Sequence, residues 1–144
     1  MNSIINLTPV SIGPGLVEPL FENRRILELC QDHVQPFYAA KGERALEWFD
    51  AAMGDLPAYA HQAEGAIFLW LWFPDLPISC AELYQRLKQR GVLIVPGHHF
   101  FPGLDDDWQH CHECIRVSYA MDDNTVREGI RIIGDEVHRA YAQV

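Results

Sequence analysis

Along residues 114–120 apolar and polar side chains alternate with period two. Ile115, Val117 and Tyr119 fall on one side, and Cys114, Arg116, Ser118 and Ala120 on the other. Such alternation predicts a half-buried strand. Val92–Val95 predicts a second strand, with a turn-rich loop leading from it to Cys114. Tyr59–His61 and Ala66–Phe73 predict two more, joined by Gln62–Gly65. The run Ala66–Phe73 is apolar on both sides, which predicts a central strand with Trp70 and Trp72 as packing residues.

Helical spacing accounts for most of the rest. Asn23 offers an N-cap. Apolar residues then recur at Ile26, Leu27, Cys30, Val34, Phe37, Ala45, Trp48, Phe49 and Ala52. They predict one helix of about thirty residues, roughly 45 Å long, ending at Gly54 or Asp55. Pro36 should kink it, because proline removes a donor and crowds the carbonyl one turn back. Gly42 should weaken it further. Ser79 with Glu82 three residues on is a capping-box signature. It opens a helix with Cys80, Leu83 and Leu87 on its apolar stripe, stopped by Gly91. Asp122 or Asp123 caps a last helix whose Val126, Ile130, Ile133, Val137 and Tyr141 share one face. Gly129 and Gly134 within it should let it approach the sheet closely. Upstream, prolines and glycines punctuate residues 1–23, with a short helix expected from Pro14 carrying Leu16, Val17, Leu20 and Phe21. These elements predict an α+β fold: a small mixed sheet with helices packed on one face, preceded by a long N-terminal helix.

Composition narrows the function classes. At 144 residues the chain is expected to build one core. A formal net charge of −9, with basic residues scattered, argues against nucleic acid, which needs clustered Lys and Arg. The longest apolar run, Ala66–Phe73, falls far short of the roughly 18 residues of a membrane span. The N-terminus has no basic stretch ahead of an apolar one, so no signal peptide is expected. Together with four cysteines this predicts reduced thiols and a cytoplasmic protein.

Two stretches carry candidate chemistry. Arg116 is a fixed cation on the more polar side of its strand, and a guanidinium so held can grip a carboxylate in a bidentate pair. The competing reading pairs it with a local acid, Glu113 or Asp122. His98, His99, His110, Cys111, His112 and Cys114 fall within a short span, and thiolate with imidazole suits zinc. Yet Cys111-His-Glu-Cys114 has no second C-x-x-C pair. Cys114 also begins an alternating strand that aims it away from Cys111. No metal site is therefore assigned.

The string Val92-Leu-Ile-Val-Pro-Gly-His-His-Phe100, a loop, and then Ile115-Arg-Val-Ser-Tyr-Ala120 resembles the small domain of class I pyridoxal-phosphate-dependent aminotransferases. Glu64–Phe73 and Pro96–Leu104 are similar, within that class, to the valine–pyruvate aminotransferase family. The resemblance covers nearly the whole chain but only about the last third of that family. It implies that residues 1–23 end a large domain, 24–54 form an interdomain helix and 55–144 are the small C-terminal domain. It implies that Arg116 binds the substrate α-carboxylate, with His98, His99 and Phe100 as possible pocket lining. It also implies pyridoxal 5'-phosphate in the full-length protein, amino-acid and 2-oxo-acid substrates such as valine or alanine with pyruvate, a large-domain partner and a homodimer. The family's Schiff-base lysine has no counterpart here. The two lysines, Lys41 and Lys88, lie outside its motif, so the chain alone is expected to be inactive. Alternatives are another enzyme of the class, of alanine aminotransferase or C–S lyase type, or a stand-alone His/Cys metal-binding or interaction module.

Overall fold

The structure, a computed structural model, describes residues 12–104 and 107–143. The chain divides after Phe37 into two compact units. In the first, helix α1 spans Ile12–Glu22 and includes Pro19. Arg24 then adopts a left-handed conformation (φ 59°), and the Asn23 side chain accepts a hydrogen bond from the Arg25 amide at 3.0 Å. The N-cap position itself falls on Arg24, whose side chain makes no capping bond, so the helix starts one residue later than the Asn23 cap expected from the sequence. Helix α2, Arg25–Leu29, leads into a π turn, Cys30–Val34. The break required by Pro36 takes this form: shifting the ladder by one residue relieves the missing donor and the crowded carbonyl. Leu16, Phe21 and Leu27 are exposed.

Helix α3, Gln35–Met53, continues into the second unit, and Gly42 does not break it. There a four-stranded sheet is built from β1 (Tyr59–Ala60), β2 (Phe68–Trp72), β3 (Val95–Pro96) and β4 (Cys114–Ser118) in the order β1-β2-β4-β3. Helix α4 (Cys80–Gln89) lies between β2 and β3 in sequence, and α5 (Asp123–Tyr141) follows β4.

Every pairing in this sheet is antiparallel, which corrects the expected mixed sheet. The β2–α4–β3 connection does set two strands parallel, as such a crossover should. But β4 inserts between them and runs against both, so no parallel pair is hydrogen-bonded. β3 is also shorter and later than its apolar run suggested. The Val92 amide bonds back to the Leu87 carbonyl at 3.0 Å, so the run begins as the exit from α4. Pro96 is tolerated because β3 is an edge strand.

The alternation is obeyed residue by residue. Leu69, Leu71, Phe73, Ile115, Val117 and Tyr119 are buried against Ala45, Phe49 and Met53 of α3, Leu83 and Leu87 of α4, and Val126, Ile130, Ile133 and Val137 of α5. Three helices therefore cover one face of the sheet. Caps set two of them: Ser79 Oγ accepts from the Glu82 amide at 3.2 Å and Asp122 Oδ1 from the Thr125 amide at 3.1 Å. Of the two α5 glycines only Gly134 is needed for packing. A methyl group there would stand 2.9 Å from the Ala52 carbonyl oxygen, whereas Gly129 faces open space. The close approach is thus to α3, not to the sheet.

Candidate functional site: an arginine between rings on the open sheet face

The opposite sheet face carries Phe68, Trp70 and Trp72 from β2 and Cys114, Arg116 and Ser118 from β4. Trp70 is paired with Arg116 and Trp72 with Cys114. Among the described residues of the second unit no helix packs on this face. Instead the β3–β4 connection folds back over it, through two 3-10 turns at Gly97–Phe100 and Gln109–His112. Gly97 makes this possible. A Cβ there would lie 2.7 Å from the Cys114 carbonyl oxygen and 2.8 Å from the Cys114 Cβ, so only glycine lets the turn lie flat on β4.

The turn delivers Phe100 and Phe101 to Trp70, edge-on, with ring centroids 5.2 and 6.0 Å apart. Such geometry is favoured by the ring quadrupoles. Arg116 occupies the middle of this aromatic ground. Its guanidinium carbon lies 4.3 Å from the centroid of Phe68 and 4.8 Å from that of Phe100. Cation–π attraction holds the head group, and among the described residues no acceptor takes a hydrogen bond from its N–H donors.

Both local acids that could have claimed Arg116 are engaged elsewhere. Glu113, buried, accepts from Trp72 Nε1 at 2.9 Å, the Asp75 amide at 2.8 Å and Gln109 Nε2 at 2.6 Å. Asp122 caps α5 and also accepts from Thr125 Oγ1 at 2.6 Å. Among the described residues Arg116 makes no salt bridge. A half-buried cation with free in-plane donors and apolar walls is a receptor for a planar anion, a carboxylate above all.

Of the other expected site residues, Phe100 joins Arg116, while the two histidines before it lead elsewhere. His98 Nδ1 lies 3.4 Å from Cys80 Sγ. Its ring packs 4.1 Å from that of His99 and 6.1 Å from that of His112. Burial, then the neighbouring His99 and His112, push the His98 pKa below its ordinary value. Cys111 and Cys114 are both buried free thiols. Burial pushes the Cys114 thiol up to about 12, so it stays protonated with His110 Nε2 3.4 Å away. Sequence reasoning missed Phe68 and Cys80. Phe68 was legible in principle, since it shares the Trp70 side of its strand. Cys80 was not, because three separate segments bring it to His98 and His112.

No protein-family model matches the chain. Over 99% of its length it is 43% identical to the valine–pyruvate aminotransferase of Escherichia coli (strain K12), of which it covers 34%. It superposes on the valine–pyruvate aminotransferase of Salmonella typhimurium LT2 with a TM-score of 0.90 and 41% identity, covering 100% of this chain and 37% of that one. A Psychrobacter arcticum 273-4 structure, described as an amino-acid aminotransferase, gives 0.91 and 48%, covering 100% and 33%. The chain matches one part of a valine–pyruvate-type aminotransferase. It spans about a third of the length of these relatives.

Aminotransferases of this kind depend on pyridoxal phosphate, and the residues of this chain alone do not fit it. Lys41, the buried lysine, donates to the Met121 carbonyl at 2.6 Å and to Asp123 Oδ1 at 3.0 Å. That is a structural tie between α3 and the start of α5. Lys88 lies on α4 with its ammonium 5.9 Å from the Tyr84 ring. Neither is on the Arg116 face. A cleft of about 750 Å³ runs between α5 and residues 90–93, and no lysine lines it. No helix among the described residues is long and apolar enough to cross a membrane.

Proposed function

We propose that this chain is the carboxylate-binding C-terminal portion of a pyridoxal-phosphate-dependent aminotransferase that moves an amino group between valine or alanine and a 2-oxo acid. The observation that carries this reading is Arg116, held between Phe68 and Phe100 with its donors free and with Glu113 and Asp122 both occupied. The cofactor, held by a large domain that also supplies the Schiff-base lysine, provides the electron sink that makes the Cα–H bond of the amino acid labile. This chain's contribution is to orient. Arg116 forks onto the α-carboxylate. The Phe100 ring walls the pocket, and the Gly97–Phe100 turn fixes that ring, with His98 and His99 supporting the turn. Residues 24–54 link the two domains, the parent enzyme works as a cytoplasmic homodimer, and the chain by itself does not turn over.

The test places this sequence in the corresponding third of the Escherichia coli enzyme and measures transamination of valine with pyruvate. Arg116→Lys keeps the charge but loses the fork. Losing one charge-assisted bond costs about 2–3 kcal/mol, or roughly 30- to 150-fold in kcat/KM for the amino acid. The melting temperature should stay put, because Arg116 makes no ion pair to lose. An Arg116→Lys chimera with unchanged kcat/KM would overturn the assignment.

A further inference from the structure

We propose that Cys80, His98 and His112 form a binding site for one borderline-soft divalent cation of the zinc class. The three lie on three different elements: the first residue of α4 and the two 3-10 turns of the β3–β4 connection. Their ligand atoms all fall within 4.8 Å of one another. Tetrahedral zinc with bonds of about 2.3 Å to sulfur and 2.0 Å to nitrogen sets those two atoms about 3.5 Å apart. Cys80 Sγ and His98 Nδ1 already stand at 3.4 Å. The remaining ligand has only a little over 1 Å to close, and it rides on a short turn.

The surroundings suit the task. His112 Nε2 is held by Asp107 Oδ1 at 2.6 Å, which leaves Nδ1 as the ring nitrogen free to bind. A carboxylate fixing the far nitrogen of a ligating histidine is the usual outer support of such centres. Cys80 is fully buried, and its Sγ also lies 3.5 Å from the Cys111 carbonyl oxygen. On binding, one sulfur–metal and two nitrogen–metal bonds form, and the Cys80 thiol proton leaves to solvent. Water completes the coordination. Cys114, a thiol of the C-x-x-C pair, is not one of the three: its Sγ lies 3.4 Å from His110 Nε2. An ion here would staple α4 to both turns and so fix the loop that carries Phe100. This site stands independently of the aminotransferase reading.

Cobalt(II) substitution tests it on the whole chain under a non-thiol reductant. The expected result is one cobalt per chain with a thiolate-to-metal charge-transfer band, displaced by zinc. Cys80→Ser abolishes the band, whereas Cys111→Ser, Cys114→Ser and Cys30→Ser keep it. Because Cys80 is fully buried, His112→Gln provides a second arm at a side chain that is 41% exposed. It should keep the metal-free circular dichroism and melting temperature while weakening cobalt binding at least tenfold. No band in the wild type would overturn the site. So would a band that survives Cys80→Ser and is lost in Cys111→Ser, or wild-type affinity in a folded His112→Gln.

Discussion

The two faces of the sheet are built from the same strands, yet they solve opposite problems. The helix-covered face is aliphatic, and every strand residue on it from Leu69 to Tyr119 is buried. The other face is aromatic and cationic, and a loop rather than a helix covers it. The contrast is sharpest in two cations. Lys41, beside the closed face, is 7% exposed and satisfied by a carbonyl and a carboxylate. Arg116, on the open face, is held by rings and makes no ion pair among the described residues. The first arrangement stabilises a fold. The second keeps a charge ready for something outside it. Stability and recognition are thus separated by the pleat of a single strand, since Ile115 and Arg116 are neighbours.

If that division is right, substitutions on the two faces should fail in different ways. The largest effect belongs to the closed face. Phe49→Ala leaves a void beneath Phe73, whose ring centroid is 6.4 Å away, and should cost about 3–5 kcal/mol in urea unfolding. Gly97→Ala comes next. Its Cβ meets Cys114 backbone and Cβ atoms that cannot swing aside, so overpacking should cost about 1–3 kcal/mol. It should also lift Phe100 off Arg116, lowering kcat/KM in the chimeric enzyme by more than the stability change explains. Phe100→Leu should be nearly silent in melting yet weaken amino-acid binding several-fold, since it removes a cation–π contact of about 0.5–1 kcal/mol. A large loss of stability there would break the comparison.

The smallest effect is electrostatic and lies on the closed side. The Lys41 hydrogen bond holds the Asp123 carboxyl below its usual range, and the Arg90 hydrogen bond does the same for Asp135. A folded pKa below the unfolded one stabilises above the unfolded value, about 3.9, and that contribution vanishes as pH falls through the folded one. Urea midpoints should therefore decline on acidification below about pH 5. Asp123→Asn should flatten the decline while lowering the midpoint at neutral pH.

Much of this was legible because it was local. Alternation placed Ile115, Val117 and Tyr119 inside and Arg116 outside. The Ser79 and Asp122 caps and the Val126-to-Val137 stripe were read from spacing alone. What stayed hidden was long-range. Nothing in the periodicity of β4 says that it slips between β2 and β3, so the antiparallel pairing throughout was not legible and a mixed sheet was expected. Pro36 announced a disturbance but not its form, since a kink and a π turn relieve the same clash. The likeness to aminotransferases rested on contiguous strings around Pro96 and Arg116. The Cys80–His98–His112 cluster has no contiguous string, and the crowded Cys111–Cys114 pair drew attention from it.

The insertion of β4 also has a consequence for time rather than energy. β1 and β2 can pair as soon as both exist, across a short turn. The central pair cannot: Trp72 and Cys114, its nearest partners, are about forty residues apart, and closing so long a loop costs entropy before any contact repays it. Such non-local pairing slows folding. Arg116 lies on that late strand. A growing chain thus contains β1, β2 and helices α1 to α4 before the strand that carries Arg116 exists, and the carboxylate receptor must wait for it.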